Sequence, residues 1–92
     1  MLHIINKSPF NSPALSQCLR FVAPQDIILF IEDGVYAAIE NNGLPDAITA
    51  YALKEDVYAR GLADKLLGSI KVIDYAGFVD LTLAHHPIQT WS

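Results

Sequence analysis

The chain holds a single cysteine, Cys18, among 92 residues, so no disulfide forms within it, which fits a reducing compartment. Charge is scarce too. Only 17% of residues are charged against 52% apolar, whereas an average soluble domain carries about 25% charged residues. Basic residues are the scarcer of the two charged classes: Lys7, Arg20, Lys54, Arg60, Lys65 and Lys71 stand singly, and ten acidic residues outweigh them to a net charge of −4. Gripping phosphates calls for a clustered basic stripe, so direct nucleic-acid binding is not expected. No segment reaches the roughly 20 apolar residues of a membrane span, and MLHIINKSPF has neither a basic leader nor a following small-residue cleavage site. A cytoplasmic protein without membrane association is expected. There is no GxGxxG, and NKSPF (6–10) lacks the glycine-rich pattern of a phosphate loop, so neither a nucleotide site nor another cofactor is expected.

What is present is apolar surface in excess. Residues 1–92 form one domain, and a domain of this size buries only about 60 to 65% of the surface its unfolded chain exposes. The surplus calls for an interface. Obligate interfaces resemble a domain core cut in half, so an oligomer or a subunit of a larger complex is expected.

Four short runs read as strands: LHIIN (2–6), DIILFI (26–31), ITAYAL (48–53) and SIKVID (69–74). The first two are nearly continuous in Ile and Leu, the pattern of strands covered on both faces in a parallel sheet. The segments between them are long enough for helical crossovers. Ser12 is a candidate N-cap with Pro13 at the first helical position, and Leu15, Cys18, Leu19 and Val22 follow at helical spacing. Val35, Ala38 and Ile39 mark a second helix after Gly34, ended by Asn41, Asn42 and Gly43. A third, short and acidic at its start, covers 56–60 and stops at Gly61. In the fourth, Phe78, Leu81 and His85 line one face until Pro87. The order βαβαβαβα predicts a small three-layer α/β/α sandwich around a mainly parallel sheet.

Ligands of open parallel sheets sit beyond the carboxyl ends of the strands. The loops there are NKSPF, EDG (32–34), KED (54–56) and DYAG (74–77). Glu32, Asp33, Glu55, Asp56 and Asp74 could hold a cation or act as acid and base, but such residues more often cap helices and form turns. His3, in a strand, reads as a hydrogen-bonded core residue. His85 and His86 are adjacent, so their side chains diverge by about 100° on a helix and do not share a metal; no metal site is expected.

Cys18 admits two readings. A helix N-terminus activates a thiol only within its first turn, and Cys18 falls in the second turn of a helix that starts near Pro13. It also lies on the apolar stripe facing the sheet, where free cysteine behaves as a core residue. The alternative is a thiol that carries sulfur.

The blocks MLHIINKSPF, FIEDGVYAAI, YALKEDVYARGL and VIDYAGFVDLT, with the late Gln89 and Trp91, together resemble the DsrH/TusB family of sulfur-relay subunits over nearly the whole chain. The resemblance implies a small α/β/α fold and a heterohexamer of two copies each of three homologous subunits, with DsrE/TusD-type and DsrF/TusC-type partners. It further implies transfer of persulfide sulfur to a DsrC/TusE-type carrier, serving 2-thiouridine formation at tRNA wobble positions or oxidative sulfur metabolism. When isolated, the chain could form homo-oligomers. In the family the principal sulfur-accepting cysteine belongs to the E/D-type subunit, so the resemblance makes this chain a non-catalytic subunit, with Cys18 as a possible secondary carrier. SQCLRF and NKSPF resemble DsrH-type sequences, which carry a cysteine in this helix. NNGLPDA (41–47) is shorter than the corresponding DsrH-type connection.

Overall fold

A computed structural model describes residues 1–39 and 43–92. Five strands, β1 (Leu2–Ile5), β2 (Ile27–Phe30), β3 (Thr49–Leu53), β4 (Ile70–Ile73) and β5 (Ile88–Trp91), form one sheet in the order β4-β3-β2-β1-β5. Every pairing is parallel. β1 and β2 are buried at each position, as their unbroken Ile and Leu runs require of strands covered on both faces.

The connections follow from handedness. From β1 through β4 the chain steps steadily in one direction across the sheet, and right-handed crossovers then put all three connections on one face. These are α1 (Ala14–Leu19), a 3-10 helix (Glu32–Ile39) and α2 (Lys54–Ala59). The step from β4 back to β5 reverses direction, so its crossover, α3 (Tyr75–Ala84), covers the opposite face. The buried side chains divide accordingly. Ile5, Ile28, Phe30, Ala50 and Ala52 point toward Leu15, Cys18, Val35 and Val57. Leu2, Ile4, Ile27 and Leu29 point the other way, against Phe78 and Leu81 of α3.

Three local expectations are corrected. The sheet has a fifth strand: IQTW at 88–91 pairs with β1, Leu2 opposite Ile88 and Ile5 opposite Trp91. The second helix is a 3-10 segment that begins at Glu32 in a left-handed conformation (φ 50°). Gly34 sits so tightly on β1 that a Cβ there would run into the Ile5 carbonyl oxygen. The expected end of that helix at Asn41 and Asn42 lies outside the described residues. The third helix starts at Lys54 rather than residue 56, directly from the strand.

Ser12 also acts one step off the expected register. α1 begins at Ala14 with Pro13 in the cap position, and the Ser12 hydroxyl accepts from the Ala14 amide at 3.1 Å. Among the described residues no helix is long and apolar enough to cross a membrane.

Candidate functional site

Because all strands run the same way, the loops after β1, β2, β3 and β4 gather along one edge of the sheet, where such folds bind ligands. The acidic side chains there hold one loop to the next. Asp56 accepts from the Glu32 amide at 2.6 Å, which fixes the left-handed entry to the 3-10 helix. Arg60 reaches Asp33 at 3.0 Å and Asp56 at 3.5 Å, tying α2 to the loop after β2. Glu55 accepts from the Tyr75 amide at 3.4 Å, and Asp74 caps α3 by accepting from the Gly77 amide at 2.9 Å. Of the five acids singled out by sequence, only Asp74 makes a side-chain cap to its own helix, and Asp33 and Asp56 share a cation. Among the described residues no group of three or more His, Cys, Asp or Glu is placed to hold a metal ion.

At the β1 end of this edge, Phe10 stands as a ridge, 66% exposed. On one side is an open cleft of about 420 Å³ lined by Pro9, Pro13, Leu15, Ser16 and Leu19. On the other is a cleft of about 380 Å³ lined by Ser8, Asn11, Asp33 and Tyr36. Their walls mix apolar faces with hydroxyl and amide groups, and Cys18 lines neither. This chemistry suits contact with a chain better than bond-making.

Cys18 lies on the inner face of α1, fully buried. Burial, aided by the negative charge of Asp26, pushes its thiol up to about 11. At neutral pH the thiolate, the form that attacks sulfur, would then be roughly one molecule in ten thousand. The same face holds a buried histidine and carboxylate, so a Cys-His-Asp arrangement has to be weighed. The hydrogen bonds argue against it.

His3, fully buried on β1, places Nε2 2.8 Å from Asp26 Oδ2, and its Nδ1 accepts from the indole Nε1–H of Trp91 at 3.2 Å. An indole N–H only donates, so Nδ1 must be unprotonated and the proton rests on Nε2, facing Asp26. Both ring nitrogens are committed. No lone pair remains to take a proton from Cys18. Burial alone would raise the Asp26 carboxyl, but the Ala23 amide, the His3 ring and the Met1 amine outweigh it and hold it below the usual carboxylate range. Phe21 stacks on Trp91, the two ring centroids 5.7 Å apart.

The strand pattern puts His3 in a hydrogen-bonded core role, and that is where the structure has it. That pattern does not show the partners. Asp26 and Trp91 are 23 and 88 residues from His3 in the chain, and only parallel pairing of β1 with β2 and β5 joins them. His85 ends α3 as its C-cap, while the His86 ring lies 3.1 Å from the Leu83 carbonyl oxygen.

This topology, with one crossover reversed, defines a small parallel α/β protein whose carboxyl edge carries open clefts of mixed polarity and tethered acids. The model of the DsrH-like protein family matches residues 7–88. The chain belongs to the DsrH family. Protein TusB of Photorhabdus laumondii is 42% identical, covering 99% of this chain and all of that one. Protein TusB of Escherichia coli K12 is 36% identical over the same span. Among solved structures, Tm0979 of Thermotoga maritima superposes with a TM-score of 0.71 at 27% identity, covering 92% of this chain and 94% of that one. The Escherichia coli ychN protein gives 0.76 at 14% identity, with 97% of each chain covered, a likeness of fold alone.

Proposed function

We propose that this chain is an accessory subunit of a cytoplasmic sulfur-relay complex, a heterohexamer with DsrE/TusD-type and DsrF/TusC-type subunits. The complex passes persulfide sulfur to a DsrC/TusE-type carrier, for 2-thiolation of tRNA wobble uridine or for oxidative sulfur metabolism. Membership of the DsrH family over almost the full length is the observation that carries this reading. Tm0979, one NMR structure of which is described as a candidate sulfur transferase, supports it at 27% identity. The accessory role rests on Cys18: a sealed thiol with a raised pKa and no available base suits a core position. The subunit then contributes surface, while the sulfur chemistry belongs to its partners.

Co-expression with the other two subunit types from the same organism tests the reading. A stable assembly of all three on size exclusion with light scattering is expected. A chain that stays monomeric while its candidate partners assemble without it would refute it. The competing assignment, Cys18 as a sulfur acceptor, requires α1 to lift from the sheet. Incubation with a persulfide donor would then add about 32 Da per sulfur, lost in Cys18→Ser. The accessory reading expects no gain.

A further inference from the structure

α3 is apolar on both sides. Phe78 and Leu81 pack against the sheet, yet no residue of the helix is buried. Tyr75, Val79 and Leu83, spaced four apart and therefore on one side of the helix, are 62%, 37% and 72% exposed. Ile88, which opens β5 just beyond the helix, is a further 41% exposed. A helix apolar on its outer side as well as its inner one exposes a patch that soluble surfaces avoid, so this outer face is built to be covered.

Charge distinguishes the candidate covers. Asp80 borders the exposed row, about 100° round the helix from Val79, and α3 contains no Lys or Arg. Its N-terminal end adds Asp74 and Glu55, the latter on the Tyr75 amide. In an antiparallel pairing of two such helices about a two-fold axis at Val79, both Asp80 carboxylates fall on the same flank, facing each other. A parallel pairing turns each Asp80 toward the partner's apolar row. Neither arrangement brings a Lys or Arg of α3 to Asp80, the Lys71 ammonium on the same side of the sheet lies over the Tyr51 ring at 6.0 Å, and an unpaired carboxylate at a closing interface is costly.

We propose that the outer face of α3, the row Tyr75, Val79 and Leu83, is the docking surface for a different subunit, one presenting an apolar face bordered by Lys or Arg that reaches Asp80. This rests on the reading of the chain as a subunit of a larger complex and says which surface holds it there. The opposite face of the sheet, already closed by α1, α2 and the 3-10 helix, is not this interface.

The test uses the full chain co-expressed with the E/D-type and F/C-type subunits from the same organism. Assembly is read by size exclusion with light scattering, and folding of each variant by circular dichroism. Leu83→Asp, at an exposed position, should fold normally and weaken assembly tenfold or more. Asp80→Lys should also weaken it, and Tyr58→Asp, an exposed aromatic on α2, should not. Hydrogen exchange in α3 should slow on assembly. Normal assembly of Leu83→Asp overturns the proposal, as does equal weakening by Tyr58→Asp. An isolated chain that dimerises through α3, its dimer lost in Leu83→Asp, makes the cover a second copy and overturns it too. Failure of the unmodified chain to join the other subunits at all would instead remove the complex reading on which the proposal stands.

Discussion

The two faces of the sheet differ in how far the chain covers them by itself. One face lies under α1, α2, the 3-10 helix and the segment through Leu62 and Leu67, and it encloses Phe30, Val35, Cys18 and Val57 without exposure. The other has a single ten-residue helix to cover five strands. It buries Leu2 and Leu29 but leaves its own outer surface apolar and wet. The difference follows from the one reversed crossover: three right-handed steps in one direction put three connections on one side, and a single return puts one on the other. A face closed by its own chain supplies stability, while a face left half-closed is available for assembly.

Substitutions on the closed face should therefore have the largest effects. Gly34→Ala drives a Cβ into the Ile5 carbonyl oxygen, and that neighbour is backbone, which already accepts from the Ile31 amide at 3.0 Å. The strand and the 3-10 helix would have to separate. Loss of a cooperative thermal transition, followed by circular dichroism, is expected. Retention of a wild-type melting temperature would show that the two elements are not tightly seated.

Phe30→Ala comes next, at about 3–5 kcal/mol by chemical denaturation, the usual loss for an aromatic removed from a packed core. Its counterpart is Phe78→Ala on α3, whose ring is only half-buried between the sheet and Tyr75. Roughly half the Phe30 loss is expected there. Equal losses would mean that both faces are closed alike, and the comparison would fail.

Beneath α1 the closed face also carries a pH dependence. Asp26 has its carboxyl held below the ordinary range in the folded chain, so its stabilising contribution is complete above about pH 5. It is lost as pH falls through the folded value, because the unfolded chain binds the proton first. Thermal melts of the native chain should drop on acidification. Asp26→Asn should melt a few degrees lower at pH 7 and show a flatter acid limb. An unchanged slope would mean that the pairing with His3 and Met1 contributes nothing to folding.

The sequence made the sheet legible where burial was complete. LHIIN and DIILFI announce β1 and β2 because a strand covered on both faces needs apolar residues at every position. IQTW announces nothing, since β5 is an edge strand whose Gln89 and Thr90 face solvent and whose pairing depends on β1, more than eighty residues away in the chain. The 3-10 geometry of the second helix was hidden for a similar reason. The periodicity of Val35, Ala38 and Ile39 marks a helix, but its tightness comes from Gly34 pressing on Ile5, a contact between distant segments. The acids of the loop edge were visible as residue types only. Their tethering to amides and to Arg60 is tertiary. Cys18 lay within the stripe that pattern alone turns toward the sheet, and the buried position follows from that pattern.

The smallest effect on the isolated chain should come from the half-closed face. Leu83 is 72% exposed, so Leu83→Ser removes little buried area and should cost under about 0.5 kcal/mol in the isolated chain. If apolar residues on α3 were kept for folding, the loss would approach that of Phe78→Ala. If they are kept for a partner, stability barely changes, and solubility of the isolated chain improves because an apolar patch has been broken. A measured loss above about 1 kcal/mol would place Leu83 among the fold's own supports and make both faces self-sufficient, contrary to the asymmetry that the reversed crossover builds into the sheet.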